Sequence, residues 1–124
     1  MNGSNLEKVV VDTNFLMAIS QFKIDILAEL KPNKIIIIDK TIKELKNLKE
    51  KEKTKMHATI ALKLIKGLPI LKTKDGKTDD ILAELSKEGY IIATQDRGLK
   101  RRLKNTYIVI RQKKYLRIVN QNIY

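Results

Sequence analysis

Residues 9 to 14 read VVVDTN: Val9, Val10, Val11, Asp12, Thr13, Asn14. Three β-branched residues in a row favour a pleated, buried strand. The strand then ends on an acid and two polar residues. Burying a carboxylate is unfavourable unless something there compensates its charge. The reading of the whole chain therefore turns on whether later segments bring other groups to Asp12.

Working outward, strand-like and helix-like segments alternate. Residues 15–30 look helical, in one or two pieces, because Ile19, Phe22, Ile26 and Leu30 keep a helical spacing. Pro32 and Asn33 break that pattern. Residues 35–38 are four isoleucines, as in a strand buried on both faces. Helices are expected over 41–51 and 54–67, the second carrying Met56, Ile60 and Leu64 and stopping at Gly67. A short strand at 69–71 and a turn at Asp75-Gly76 lead to a helix over 79–88, ended by Gly89. Then come a strand at 90–93, a short helix at 96–104, a strand at 107–110 and an edge strand at 115–119. This alternation predicts an α/β fold with a mostly parallel sheet covered on both faces. Neither a repeat nor a linker interrupts the chain, and 124 residues suit one domain spanning 1–124.

In parallel sheets, ligands bind outside the carboxyl ends of the strands. Asp12 follows the first strand, and Asp39 the second, with Glu44 one turn into the next helix. Asp79 and Asp80 open the helix after the third strand, and Asp96 follows the fourth. Each acid also has a plain structural explanation, since Asp caps helices and first-turn acids favour the helix dipole. Asp39 is read as such a cap, and Glu44 as a possible partner of Lys40. Helical geometry separates the others. Glu44 borders the stripe of Ile42, Leu45 and Leu48. Asp79 lies nearer than Asp80 to the face of Ile81, Leu82 and Leu85, so Asp80 turns more toward solvent.

Composition narrows the chemistry. There is no cysteine and one histidine, His57, which excludes a disulfide scaffold, a thiol nucleophile and a thiolate or His-rich zinc site. No apolar run approaches the ~20 residues that span a bilayer, and residues 1–8 lack a signal peptide's apolar centre. The expected setting is cytoplasmic, away from membranes. The net charge is +12, and residues 97–124 hold nine Lys or Arg and no acid. That field favours polyanions, nucleic acid first; a stabilising, soluble surface accounts for part of the lysine excess. Carboxylates gathered inside a positive chain repel one another. A divalent cation relieves the conflict, and an all-oxygen donor set suits Mg²⁺ or Mn²⁺.

Four segments then carry a resemblance in order: VVVDTNFLM, TIKELKNL, KTDDILAEL and IIATQDRGLKRRL. Together they resemble a PIN domain, over nearly the whole chain from Glu7 to Val119. The ending VIRQKKYLRIVN looks more like archaeal PIN proteins related to ribosomal-RNA-processing nucleases than like the shortest toxin-type, VapC-like members. The resemblance implies a three-layer α/β/α sandwich and a Mg²⁺- or Mn²⁺-dependent endoribonuclease. It implies Asp12, Glu44, Asp79 and Asp96 as catalytic metal ligands, with Thr13, Asn14 and Thr94 as polar support. Asp80 is left between a supporting role and the surface. Arg97, Lys100, Arg101 and Arg102, directly after Asp96, are expected to contact RNA. Tyr107 and Tyr115 are either strand fillers or stacking surfaces for bases.

Three readings follow. The first is an RNA-processing nuclease for single-stranded or structured RNA, with ribosomal RNA as the named candidate. The second is the toxin ribonuclease of a toxin–antitoxin pair, held by an antitoxin-like protein. The third is a non-catalytic basic RNA-binding module whose acids only cap helices. A homodimer is compatible with each. A phosphoacceptor domain would want an acid pair after the first strand, and VVVDTN has one acid there.

Overall fold

The computed structural model describes residues 6–120. Val9, Val10 and Val11 have no exposed surface and form most of β1 (Lys8–Val11). The next helical stretch is split into α1 (Thr13–Phe22) and α2 (Ile26–Leu30), because Lys23 closes α1 in the left-handed conformation. β2 (Lys34–Ile38) holds the isoleucine run and leads into α3 (Asp39–Lys49) and α4 (Lys55–Leu64). β3 (Ile70–Leu71), α5 (Thr78–Lys87), β4 (Ile91–Ala93) and α6 (Arg97–Arg102) follow. A hairpin of β5 (Tyr107–Arg111) and β6 (Tyr115–Val119) completes the described chain.

The six strands form one sheet in the order β3-β2-β1-β4-β5-β6. The first five are parallel, and β6 is antiparallel to β5. Side chains leave it with the period of two that strands require. Val9, Val11, Ile35, Ile37, Ala93, Ile108 and Ile110 enter one core with Phe15, Leu16 and Ile19 of α1, Leu45 of α3 and Ala61 of α4. Val10, Ile36, Ile38 and Ile92 enter the other, under Leu82 and Leu85 of α5 and Leu99 of α6. The sheet is thus sandwiched between α1–α4 and α5–α6, the expected three layers.

This order has a functional consequence. From β1 the chain moves outward through β2 to β3, then returns to place β4 on the other side of β1. The strand order reverses between β1 and β4, and a crevice opens at such a point beyond the strand ends. Asp12 stands at its mouth, its backbone N–H donating to Ala93 O at 2.9 Å.

Two expectations are corrected. The third helix begins at Asp39 rather than Thr41, and Asp39 does not cap it from outside. Its Oδ1 accepts from Lys40 N and, across the fold, from the N and Oγ1 of Thr73. The Thr73 hydroxyl bond, foremost, holds the Asp39 carboxyl below its usual range. The sequence reading missed this tie because the two residues are 34 positions apart. Helix α4 ends at Leu64, before Gly67, whose φ of 89° suits glycine. Met56 and Ile60 of α4 are exposed. Among the described residues no helix is long and apolar enough to cross a membrane.

Ile37 is fully buried in β2, and its N–H donates to Pro69 O. Ile37→Ala leaves a void between the sheet and the α1–α4 layer and should lower unfolding free energy by roughly 2–5 kcal/mol. Urea titration followed by circular dichroism measures this; an unchanged midpoint would contradict the assigned core.

Candidate active site

The mouth of the crevice is built from helix starts. Helices α1, α3 and α5 all begin at this edge, directly after β1, after β2 and after the β3 loop. Their N-termini carry unpaired N–H groups and partial positive charge, which favour carboxylates and anions there. A cleft of about 320 Å³ lies among them, lined by Asp12, Thr13, Asn14, Glu44, Asn47, Leu48, Thr78 and Asp79. The acid that follows β1 and acids of α3 and α5 therefore face one space, far apart in sequence and joined by topology.

Asp12 is the deepest of them, 5% exposed. Its Oδ1 accepts from Thr13 N at 2.7 Å, which is also the cap of α1. Its Oδ2 accepts from Thr94 Oγ1 at 2.9 Å. Burial nevertheless pushes its pKa up to about 6, and the charges of Glu44 and Asp79 add to the rise. Desolvation thus outweighs two good hydrogen bonds.

Glu44 does not pair with Lys40 as the helical spacing allowed. Its Oε1 accepts from the Thr13 hydroxyl, and its Oε2 from Thr78 Oγ1 at 3.0 Å. Two threonines on different helices thereby orient one carboxylate. Asp79 is half-buried beside Thr78. Its pKa is also raised, first by burial and then by the charge of Asp96, with Arg102 opposing. Asp80 is exposed and pairs with Arg102 at 2.8 Å, so the helical-face argument separated the two neighbouring acids correctly.

Asp96 stands apart from the cleft lining. It caps α6, its Oδ1 accepting from Leu99 N at 3.0 Å. It is linked to the others by its charge, which acts on Asp79, and by Thr94, whose Oγ1 donates to Asp12 and accepts from Asp96 N at 3.1 Å. Asn14 lines the cleft from the exposed side of α1. Arg97, Lys100 and Arg101 lie on α6 beside Tyr107, around a separate shallow cleft. Arg102 faces Asp80 instead.

Thr78 and Asn47 were not singled out from the sequence. Asn47 lies three positions after Glu44, hence on the same helix face, a signal that was present. Nothing local marked Thr78 as a donor to Glu44.

The donor set fits Mg²⁺ or Mn²⁺ in kind: hard carboxylate and hydroxyl oxygens, with no sulfur and no imidazole. Among the described residues no three acids or histidines close into a cage. An open arrangement is compatible with Mg²⁺, which keeps several waters and takes one or two carboxylates. Burial, and next the neighbouring acids, raise Asp12 and Asp79, so a cation bound there would favour their ionised forms.

A family model described as a PIN-like domain matches residues 9–114. The chain belongs to the PIN-like domain family. Its curated relatives include Ribonuclease VapC4 of Methanocaldococcus jannaschii, 32% identical over 125 residues, covering 90% of this chain and 95% of that protein. Ribonuclease VapC9 of Archaeoglobus fulgidus is 30% identical over 106 residues, covering 82% and 78%. The solved PIN domain endonuclease Utp24 superimposes with a TM-score of 0.75, covering 94% of this chain and 96% of that one at 22% identity. The three-layer PIN-like fold is shared with it.

The raised Asp12 value fixes the sign of a pH effect. Between about 4 and about 6 the folded chain binds a proton that the unfolded chain releases, so stability falls as pH rises through that window and stays lowered above it. Asp12→Asn keeps both hydrogen-bond partners, because a threonine hydroxyl can turn from donor to acceptor. In the absence of divalent ions it should gain about 1–3 kcal/mol at pH 7 and little below pH 4. Urea unfolding at both pH values reads this; a variant equally destabilised at both would show that Asp12 is not a buried charge.

Proposed function

We propose that this protein is a metal-dependent endoribonuclease whose catalytic acids are Asp12, Glu44, Asp79 and Asp96. The observation that carries the reading is the meeting of Asp12, Glu44 and Asp79 in one cleft, with Asp12 buried. A strongly basic chain gathers carboxylates at one strand edge only against repulsion. Two curated relatives named as ribonucleases support the choice of RNA. The likeness to a solved endonuclease supports the fold on which that chemistry would sit.

Asp12, Glu44 and Asp79 would hold Mg²⁺ or Mn²⁺, with Asp96 completing the set from the other side of Thr94. When bound, the ion supplies a nucleophilic water at neutral pH and charge stabilisation at the phosphate. The chain's own groups do the rest. Thr94 and Thr13 fix the Asp12 oxygens, and Thr13 and Thr78 fix those of Glu44. Asn14 and Asn47 offer amides to substrate or solvent on the open side. Asp80 is assigned to the ion pair with Arg102, outside the ligand set. Hydrolysis would leave a 5′-phosphate and a 3′-hydroxyl. The acid-only-caps alternative is weakened by Glu44 and Asp79, which make no cap yet face Asp12.

The names of the two relatives favour one second reading, a VapC-type toxin held by an antitoxin-like protein. Growth arrest on expression, relieved by Asp12→Asn, would select it over a processing role. Light scattering of the purified chain reads a homodimer.

Labelled mixed-sequence RNA should be cut with Mn²⁺ or Mg²⁺, and not in EDTA. Asp12→Asn, Glu44→Gln and Asp79→Asn should each lose at least about a hundredfold in rate, as when a group stabilising transition-state charge is removed. RNA binding should persist in all three. An Asp12→Asn enzyme that cuts like the parent would sink the proposal.

A further inference from the structure

Between β4 and α6 the chain leaves the sheet, and two side chains set the point of departure. β4 pairs with β5 at Ile92 with Tyr107 and at Ala93 with Ile108. Thr94 N extends the ladder by donating to Ile108 O at 3.0 Å. In an unbroken parallel ladder, Ile110 N would next donate to Thr94 O, and Asp96 N to Ile110 O. Neither N–H does so. Ile110 N donates to the Gln95 side chain, Oε1, at 2.7 Å. Asp96 N donates to Thr94 Oγ1 at 3.1 Å. Two side-chain oxygens thus take over the two backbone bonds at which the strands part.

The Gln95 bond is demanded by its surroundings. Ile110 is buried in the α1–α4 core, and a buried N–H without an acceptor is costly. Gln95 is half-buried and occupies the one position between two residues that are themselves tied down. On one side Thr94 Oγ1 donates to Asp12 Oδ2 at 2.9 Å. On the other, Asp96 Oδ1 accepts from Leu99 N at 3.0 Å. Gln95 therefore anchors to β5 the loop whose two ends hold Asp12 and present Asp96. Its side chain does not line the acid cleft, so any effect on the acids passes through Asp96 or Thr94.

We propose that Gln95 is a positioning residue for Asp96: its carboxamide replaces a sheet bond, so that the loop leaves β4 at a fixed point and the Asp96 carboxylate is held in register with the acid cleft. That Asp96 belongs to the catalytic set rests on the nuclease reading; its placement by Gln95 is read in the protein without metal or RNA. A fixed supporting residue matters here because ligands held loosely bind and react poorly. Asp96 is the acid outside the cleft lining, so it depends most on its loop. A purely structural Gln95 would satisfy Ile110 N and leave Asp96 indifferent to its loss.

Amide hydrogen exchange of the full chain in EDTA, read by NMR, tests the placement. Leu99 N–H reports on Asp96 because it donates to that carboxylate. Gln95→Met, close in shape but without the carbonyl, should speed exchange about tenfold at Ile110 and at Leu99. Gln95→Glu keeps an acceptor oxygen and should leave both within about threefold of the parent. Ile110→Val loosens the same strand but keeps the bond, and should leave Leu99 within about twofold. Should Gln95→Met not fold, Gln95→Asn, one methylene short of Ile110 N, is read in the same way. Mn²⁺ binding, followed by the electron paramagnetic resonance of the free ion, gives a second reading. Gln95→Met should weaken it about tenfold in the parent and within about twofold in an Asp96→Asn background, since residues acting through one group do not add. Leu99 exchange unmoved by Gln95→Met would overturn the proposal, as would a Gln95→Glu chain behaving like Gln95→Met, or losses that add in the double variant. Cleavage of RNA by the parent with Mn²⁺ is scored separately. Cutting with Leu99 indifferent to Gln95 overturns the positioning role alone. A Leu99 response in a parent that neither binds Mn²⁺ nor cuts overturns the nuclease reading alone.

Discussion

The structure depends on how one buried carboxylate is accommodated. Asp12 leaves β1 at the point where strand order reverses, with β4 beside it and α1 starting on it. Water is largely excluded, so the ionised form must be supported by fixed partners. The Thr13 backbone and the Thr94 hydroxyl supply two hydrogen bonds. They do not suffice, because burial still raises the group to about 6. A fold optimised for stability alone would place an apolar residue or an amide there. A bound proton relieves this burial, and in the proposed nuclease a divalent cation would do so instead.

The surroundings of Asp12 follow the same logic. Glu44 and Asp79 deepen the repulsion, yet each is held in place: Glu44 by the hydroxyls of Thr13 and Thr78, Asp79 by its position in the first turn of α5. Thr94 ties Asp12 to the backbone of Asp96, so a shift of the β4–α6 loop is felt at the buried acid. Among the described residues, Arg102 forms an ion pair next to this cluster, with Asp80. It meets Asp80 on the exposed side, where such a pair contributes little to stability. Nine of the 26 Lys and Arg lie in residues 97–124, where no acid accompanies them. In the proposed nuclease, an acidic centre beside cationic residues would give a phosphate backbone a place to lie and the scissile bond a place to react. Relatives at about 30% identity that carry the name ribonuclease share this chain over most of its length.

What the sequence by itself determined is the alternation of elements and the faces they bury. The run of three valines and the run of four isoleucines could only be buried strands, and the stripes beside Glu44 and Asp79 turned both acids toward the core. Periodicity carries this information because side-chain direction is set by local backbone geometry. The same locality misled at Asp39, which reads as a cap but serves Thr73, and it left Thr78 and Asn47 unnoticed. For Asp96 the cap reading and the site reading remain compatible, since one carboxylate can do both. Only the tertiary structure decided that β4 lies against β1, that two threonines share Glu44, and that the Gln95 side chain bonds to β5. Those facts come from strand order, register and contacts between residues tens of positions apart. Long-range packing selects them, and no local periodicity encodes them.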